Sequence, residues 1–269
     1  MDHHAYDFAG RIVVISGGTS GIGWYCAQLF AKYGATVLAC GHDQAEIEQA
    51  SSAAPPGVHA RLMDVRSEAS VAALFTTDAL VADVGIDALV NCAGIQRLGA
   101  ADQTTLDDWN AVMQVNVTGA FLTSKYAVAA MRRRGGGAIV NVSSIHAKVT
   151  SGSRVAYVTS KTALLGLTQA MALDHAAEQI RVNVILPGAI DTPMLAHAWA
   201  QLRPDRTAHQ MRADAGHAIP IGRVGTPAEA AHAIVFLCSP QASFITGAEL
   251  LVDGGLAHKL ALPVTPVKT

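Results

Sequence analysis

Residues 12–23 read IVVISGGTSGIG, an apolar β-branched run that leads directly into a glycine-rich turn and the start of a helical pattern. In this turn Gly17 permits a sharp change of direction, Gly21 lets the backbone approach a phosphate, and Gly23 allows the helix to pack closely on the strand. The N-terminus of a helix carries free N–H groups and partial positive charge, and both favour phosphate. This stretch therefore predicts a strand, turn and helix that bind the diphosphate of a dinucleotide.

The same alternation of short apolar runs and longer helical patterns continues along the chain. Runs such as IVVIS and AIVNV are apolar on both faces, which is typical of parallel strands covered by helices on each side. The pattern predicts an α/β fold, a single-domain Rossmann-type doubly wound sheet of about seven parallel strands with helices on both faces. The predicted strands are residues 11–16, 36–40, 58–63, 87–91, 138–143, 181–186 and 249–252, and the predicted helices are residues 21–33, 67–81, 106–133, 156–177 and 227–238.

Two segments depart from the alternation inside what we predict to be one dinucleotide-binding and catalytic domain, residues 1–269. Residues 191–225 carry three prolines between short helical fragments. They follow the carboxyl end of a strand, where ligands bind in open α/β sheets, so we predict a substrate lid. Residues 256–269 form a proline-containing C-terminal tail, either mobile or docked on a neighbouring subunit.

Composition narrows the class of partner. The 269 residues have a formal net charge of -2, which gives no basic face for nucleic acid or an anionic membrane, so small molecules are the expected partners. Residues 1–10 lack the apolar core of a signal or a membrane span, and we predict a cytoplasmic protein. No metal site is predicted, because the four cysteines lie far apart and His3 and His4 fit a solvated terminus.

A tyrosine and a lysine with useful joint chemistry occur in YVTSK, where Tyr157 and Lys161 share one face of a predicted helix. A free tyrosine has a pKa near ~10, too high for a base at neutral pH. A nearby ammonium and a bound nicotinamide cation would favour the phenolate and lower that pKa. The pair is therefore a candidate acid/base centre.

These motifs resemble, in order and over roughly residues 11–255, those of the short-chain dehydrogenase/reductase family. The family's turn is usually Thr-Gly-x-x-x-Gly-x-Gly, and here Ser16 replaces the threonine. NCAG at residues 91–94 is similar to the family's Asn-Asn-Ala-Gly, and PGAIDTPM at residues 187–194 resembles the segment after its sixth strand. The resemblance implies an NAD(P)-dependent oxidoreductase that transfers hydride between the nicotinamide and a small alcohol or carbonyl.

The resemblance also implies a catalytic set of four residues. Tyr157 would exchange a proton with the substrate oxygen, and Ser144, thirteen positions earlier, would hydrogen-bond that oxygen. Lys161 would bind the nicotinamide ribose, and Asn116 would hold a water that joins Lys161 to solvent. Ser143 is expected to face the other way and to be structural.

Cofactor contacts follow from the same resemblance, with Asp64 at the adenine ring and Ile190 and Thr192 at the carboxamide. The implied set is Gly17, Thr19, Ser20, Gly21, Ile22, Gly23, Gly41, His42, Asp64, Val65, Asn91, Ala93, Gly94, Tyr157, Lys161, Pro187, Gly188, Ile190 and Thr192.

The choice between NAD and NADP stays open. NAD-preferring relatives usually have an acidic residue where Gly41 stands, and NADP-preferring ones have Arg at His42 or a basic residue at Ser20. Neither signature is present, and Asp43 would oppose a phosphate.

The substrate is less defined. SSIHAK, residues 143–148, resembles a stretch of the family's glucose dehydrogenases, which makes His146 a candidate substrate contact beside Ser144 and Tyr157 and favours a sugar or polyol. A 3-oxoacyl thioester reductase, or a non-catalytic dinucleotide-binding redox sensor, remains an alternative. ELLVDGG at residues 249–255 resembles the strand with which the family forms homodimers and homotetramers.

Overall fold

The computed structural model describes residues 6–259. Seven strands form one sheet in the order β3-β2-β1-β4-β5-β6-β7, and every neighbouring pair is parallel. The single-domain doubly wound sheet predicted from the sequence is confirmed. The strands are β1 (Ile12–Ser16), β2 (Thr36–Gly41), β3 (Val58–Leu62), β4 (Ala88–Asn91), β5 (Gly137–Val142), β6 (Ile180–Pro187) and β7 (Glu249–Val252).

Nine α-helices are found in this part of the chain. They are α1 (Gly21–Lys32), α2 (Gln44–Ala53), α3 (Glu68–Thr77), α4 (Leu106–Met113), α5 (Gly119–Arg132), α6 (Val155–His175), α7 (Pro193–Leu202), α8 (Ala208–Ala218) and α9 (Pro227–Cys238). They cover both faces of the sheet. Val13 and Ile15 pack into the core beneath α1 and α9, whereas Ile12 and Val14 pack into the core beneath α3 and α5. Burial on both faces is the reason that the central strands β1 and β4 are largely apolar.

The chain order of the strands fixes where a ligand can bind. From β1 the chain moves outward through β2 to β3, and it then returns to place β4 on the other side of β1. The loops after β1 and β4 therefore leave the sheet in opposite directions and open a crevice at its carboxyl edge. The glycine-rich turn follows β1 at this crevice.

Two helices differ from the sequence-based expectation. The helix α2 was not predicted, because only Ile47 and Ala50 are buried along it and its apolar periodicity is weak; Asp43 caps its N-terminus by accepting from the Glu46 amide. The long helix expected over residues 106–133 is interrupted by a π-helical turn at Gln114–Thr118. Such turns add one residue to a helix and often mark functional positions.

The segment expected to be a lid, residues 191–225, contains α7 and α8 and follows β6. Thr192 caps α7 by accepting from the Leu195 amide, and Pro193 occupies the first turn, where its missing N–H costs nothing. No helix in residues 6–259 is long and apolar enough to cross a membrane. His3, His4 and most of the C-terminal tail lie outside the described residues.

Candidate active site

A cavity of about 570 Å³ lies at the carboxyl edge of the sheet, where the strand order predicts ligand binding. The glycine-rich turn forms one side, the ends of β4, β5 and β6 form the floor, and α6 and α7 form the other side. Fourteen of the residues expected at the site line this cavity: Gly17, Ser20, Gly21, Ile22, Ala93, Gly94, Ser144, His146, Tyr157, Lys161, Pro187, Gly188, Ile190 and Thr192.

Glycine is needed at Gly17, Gly21 and Gly23 for a different physical reason at each position. Gly17 has a φ of +63°, and a Cβ there would lie 2.7 Å from the backbone N of Ala93. A Cβ on Gly23 would lie 2.1 Å from the Gly17 carbonyl oxygen, so Gly23 is required by the turn itself. Gly21, at a φ of +52°, has nothing closer to such a Cβ than the Thr192 Cγ2 at 3.5 Å. The space before Gly21 is thus open, and the N-terminus of α1 faces it, as a diphosphate cradle requires.

We expect Gly23→Ala to destabilise the protein by about 2–4 kcal/mol, because the new Cβ collides with backbone that cannot move without opening the turn. Thermal unfolding measures this effect. The matched control is Gly166→Ala in α6, where no heavy atom lies within 4 Å of the added Cβ. That variant should be as stable as the wild type or more so by up to about 1 kcal/mol. Equal melting temperatures for Gly23→Ala and the wild type would contradict this account of the turn.

Three polar side chains meet at the centre of the cavity. Tyr157 is 7% exposed and lines the cavity together with Ser144, which is also buried. Burial raises the pKa of Tyr157, and the nearby Ser144 hydroxyl opposes that rise. The Lys161 ammonium lies 5.7 Å from the Tyr157 ring centroid and donates to the Val142 carbonyl at 2.8 Å. Burial lowers the pKa of Lys161 to about 8.

This arrangement corrects one expectation about the acid/base pair. The sequence suggested that Lys161 and a bound nicotinamide cation together lower the pKa of Tyr157; of the protein's own groups, burial has the larger effect and raises that pKa. The physical reason is that the ammonium points to the Val142 carbonyl and not to the phenol oxygen. Ser143 was expected to face away from the site, but it lines the cavity; its hydroxyl has a structural bond, donating to the Lys161 backbone carbonyl at 2.7 Å.

Asn116 lies in the π-helical turn, behind the cavity wall. Its Oδ1 accepts from the Ile95 amide at 2.8 Å, and its Nδ2 donates to the Ile95 carbonyl and to the Ser160 hydroxyl. A Cβ on Gly94 would lie 3.3 Å from the Lys161 Nζ and 3.4 Å from the Asn116 Oδ1, so Gly94 separates the two side chains. The π-helical turn thus places Asn116 beside Lys161. The side-chain amide of Asn116 holds the loop after β4 in place.

Asn91 requires a correction, because its side chain does not reach the cavity. Its Nδ2 donates to Ser124 and to Asn141, and its Oδ1 accepts from Thr123 at 2.6 Å. These partners lie on β5 and α5, and Asn91 is 4% exposed. Every polar atom of this amide is used to join β4 to its neighbours. We therefore withdraw Asn91 from the set of cofactor contacts.

Similarity to known proteins agrees with this geometry. Residues 17–257 match the family model described as enoyl-(acyl carrier protein) reductase. The chain belongs to the short-chain dehydrogenase/reductase family. It is 39% identical to the cis-4-hydroxycyclohexanecarboxylate dehydrogenase of Sinomonas cyclohexanicum, with 92% of this chain and 97% of the relative aligned. The D-threitol dehydrogenase of Mycolicibacterium smegmatis is 36% identical, over 94% of this chain and 96% of the relative.

A solved structure supports the same assignment. The ligand-free aldohexose dehydrogenase of Thermoplasma acidophilum superposes with a TM-score of 0.86 at 32% identity, covering 97% of this chain and all of that one. As a short-chain dehydrogenase, the protein is an NAD(P)-dependent oxidoreductase that acts on a CH–OH group or the corresponding carbonyl.

Other residues expected to contact the cofactor lie outside the cavity, around the end of β2. A Cβ on Gly41 would lie 2.8 Å from the Thr19 side chain, whose hydroxyl donates to Glu46 at 3.1 Å. His42 is exposed, and the Asp43 carboxylate is occupied as the cap of α2. Gly41, Thr19 and His42 thus lie near one another, as a site for one end of a dinucleotide requires.

Asp64 and Val65 follow β3 and differ from each other in environment. Asp64 accepts from the Arg66 guanidinium through both carboxylate oxygens, and this pairing lowers its pKa. Val65 is buried, and its side chain is the nearest neighbour of a Cβ added at Gly119 in α5. Val65 therefore has a packing role whether or not its backbone meets a ligand.

Several cavity residues were not singled out from the sequence, among them Arg154, Thr150, Trp199 and Leu256. Arg154 could have been considered, because it stands only three residues before Tyr157, immediately before α6. Leu256 shows that the first residue of the predicted tail borders the cavity. His146 packs its ring edge-on against Tyr157 at 6.0 Å between centroids, and burial lowers its pKa to about 4.

Proposed function

We propose that this protein interconverts a small alcohol and its carbonyl form with Tyr157 as the acid/base. The observation that carries the proposal is that Tyr157, Ser144 and Lys161 line one cavity together with the glycine-rich turn. When bound, NAD(P) accepts hydride from the alcohol carbon or gives hydride to the carbonyl carbon at its nicotinamide ring. Tyr157 takes or gives the hydroxyl proton, so that charge and atoms balance.

The neighbouring side chains have supporting roles in this proposal. Ser144 hydrogen-bonds the substrate oxygen as negative charge develops there. Lys161, whose pKa is about 8, is positioned to bind ribose hydroxyls and to favour the tyrosinate once a ligand displaces its bond to the Val142 carbonyl. Asn116 holds the loop after β4 beside Lys161 and would keep a route for the proton to solvent.

The residues present fit a dinucleotide. The open space at Gly21 and the N-terminus of α1 suit a diphosphate, and no acidic side chain lines the cavity in the described part of the chain. The cofactor set we propose is Gly17, Thr19, Ser20, Gly21, Ile22, Gly23, Gly41, His42, Asp64, Val65, Ala93, Gly94, Tyr157, Lys161, Pro187, Gly188, Ile190 and Thr192.

Cofactor choice gives a prediction at the end of β2. Gly41→Asp adds an acceptor for a ribose 2′-hydroxyl and a charge that repels a 2′-phosphate, and it should shift kcat/KM towards NAD by about 5- to 150-fold. His42→Arg should shift it towards NADP through a paired hydrogen bond. Fluorescence titration of each cofactor checks the same preference without turnover. If neither variant changes the ratio of affinities, Gly41 and His42 do not belong to the cofactor site.

The proposed substrate is a small polar alcohol such as a sugar or polyol, bound beneath α7 and α8 as a lid. The relatives named above for a cyclic hydroxy acid, a four-carbon polyol and an aldohexose support this size of substrate. The cavity volume of about 570 Å³ suits a molecule of this size together with part of the cofactor.

We also propose a homodimer or homotetramer in the cytoplasm. Strand β7 lies at the edge of the sheet, and Leu173 and Phe244 are exposed apolar side chains that association would cover. The four cysteines carry free thiols, as is usual in a reducing compartment. Light scattering after gel filtration measures the oligomeric state.

The test of function is a substrate panel with both cofactors, read by nicotinamide absorbance. The panel contains D-threitol, an aldohexose, cis-4-hydroxycyclohexanecarboxylate and a 3-oxoacyl thioester. Turnover of one of the alcohols supports the proposal. Preference for the thioester would instead favour a 3-oxoacyl thioester reductase, and cofactor binding without any turnover would favour a redox sensor.

A further inference from the structure

The cavity carries positive charge without any compensating acid. Of the described residues that line it, only Arg154 and Lys161 are charged at neutral pH, and none is Asp or Glu. The whole chain has a net charge of -2, so this local excess of positive charge is not a consequence of composition. A small cavity of this kind attracts anions.

The two cations lie on opposite sides of Tyr157. Arg154 is the residue immediately before α6 and precedes Tyr157 by three residues, whereas Lys161 follows Tyr157 by four and shares its face of the helix. Lys161 approaches Gly94 and the Val142 carbonyl, towards the end of the cavity that the glycine-rich turn lines. Arg154 lies in the other direction, at the N-terminal end of α6, and also lines the cavity. Its position beyond Tyr157 from Lys161 and the glycine-rich turn suits a substrate contact.

The guanidinium of Arg154 keeps one edge free. Its Nη1 donates to the Ser151 hydroxyl at 2.5 Å and to the Gly152 carbonyl at 3.1 Å. Within residues 6–259 its Nε and Nη2 have no hydrogen-bond partner, and no carboxylate forms an ion pair with it. The N–H groups of Nε and Nη2 point in parallel, which matches the two oxygens of a carboxylate. The free edge is thus suited to a bidentate anion.

The backbone holds Arg154 firmly in this place. The Gly99 amide donates to the Ser153 carbonyl at 3.0 Å, and the Val155 amide donates to the Gly99 carbonyl at 3.3 Å. Gly99 and Arg154 thereby form a parallel β-bridge. Ser153, just before Arg154, has a φ of +60°, a left-handed conformation that residues other than glycine rarely adopt without support from their surroundings. The backbone at Arg154 is therefore fixed by hydrogen bonds that do not depend on its own side chain.

His146 does not add a second positive charge beside Arg154. Its Nδ1 lies 3.1 Å from the Thr150 hydroxyl, and its ring packs against Tyr157. Burial and the nearby charge of Arg154 lower the pKa of His146 to about 4, so the imidazole is neutral at physiological pH. Among the described residues at that end of the cavity, Arg154 is therefore the one permanent cation that can bind an anion.

We propose that the substrate is a hydroxy acid, or the corresponding keto acid, whose carboxylate binds the free edge of Arg154 while its CH–OH group faces Tyr157. The proposal rests on the function proposed above and adds the substrate's charge. Arg154 immediately precedes α6 and Tyr157 lies in its first turn, and both line the same cavity, so the carboxylate and the reacting carbon are expected to be only a few bonds apart. A neutral alcohol would leave the Arg154 edge without a partner, so among the small polar alcohols proposed above this geometry favours those that also carry a carboxylate, such as sugar acids.

The test uses calorimetric binding of cyclohexanecarboxylate and its neutral analogue cyclohexanecarboxamide, which differ in charge but hardly in shape. Neither can be oxidised, so the result does not depend on turnover. The wild type, in the presence of cofactor, should bind the carboxylate about 10- to 100-fold more tightly than the carboxamide. Arg154→Gln should lose this preference, and Arg154→Lys should keep part of it, because it retains the charge but not the paired donors.

Arg97→Gln is the matched control, since Arg97 lies close to the same loop but is half exposed and paired with Asp108. It should bind both probes as the wild type does. Equal binding of carboxylate and carboxamide by the wild type would overturn the proposal, as would an equal loss of both probes in Arg154→Gln. The protein could oxidise neutral alcohols of the substrate panel rapidly and yet bind cyclohexanecarboxylate and cyclohexanecarboxamide equally. That result would support the proposed function and contradict the hydroxy-acid assignment.

Discussion

Tyr157→Phe should reduce kcat by about 1,000-fold or more while the affinity for cofactor changes by no more than a few-fold. The ring and its packing against His146 remain, and only the hydroxyl that exchanges the proton is lost. Steady-state kinetics with the best substrate of the panel gives kcat, and fluorescence titration gives cofactor affinity.

Tyr126→Phe is the matched control for this experiment. Tyr126 lies on α5, and its hydroxyl is hydrogen-bonded to Glu68 at 3.1 Å, away from the cavity. Its loss should leave kcat unchanged. Retention of near-normal kcat in Tyr157→Phe would exclude this tyrosine as the acid/base.

Lys161→Met should reduce kcat by about 100-fold or more and at the same time make the protein more stable. Lys161 is 4% exposed, and its ammonium has a backbone carbonyl as partner but no carboxylate. Because burial lowers its pKa from 10.5 to about 8, keeping the ammonium charged costs the folded state up to about 3 kcal/mol at neutral pH. Methionine fills a similar space without that cost.

The pH dependence distinguishes this explanation from simple repacking. The unfolded chain holds the Lys161 proton up to a higher pH than the folded one, so the cost is complete below pH 8 and declines as the pH rises towards 10.5. The stability gained by Lys161→Met, about 1–3 kcal/mol at pH 7, should therefore shrink above pH 8. Denaturant unfolding at several pH values measures it. A constant difference between pH 7 and pH 10 would contradict the cost assigned to the buried charge.

The sequence predicted the parts of the site that depend on local pattern. Gly17, Gly21 and Gly23 follow β1 in the expected turn, and Tyr157 and Lys161 share a face of α6 because helical spacing alone determines it. The strand boundaries agreed to within one residue for the same reason. At these positions the conformation is determined by neighbouring residues in the sequence.

Features that depend on distant partners could not be read from the sequence. Asn91 is held by Asn141 and Ser124, which come from other elements, so its burial followed from the strand order and not from its own motif. The direction in which Lys161 points is likewise decided by the Val142 carbonyl. The charge of the cavity became visible only when the fold showed that acidic residues are absent from the described part of its wall.

The most direct test of the central claim follows deuterium from substrate to cofactor. The enzyme is incubated with oxidised cofactor and an alcohol of the panel that carries deuterium at its carbinol carbon, and mass spectrometry locates the label. We expect one deuterium per turnover on the nicotinamide ring, transferred by the wild type and by Tyr126→Phe but not measurably by Tyr157→Phe. Cofactor that binds tightly yet acquires no label from any alcohol of the panel would contradict the account and indicate a dinucleotide-binding protein without dehydrogenase activity.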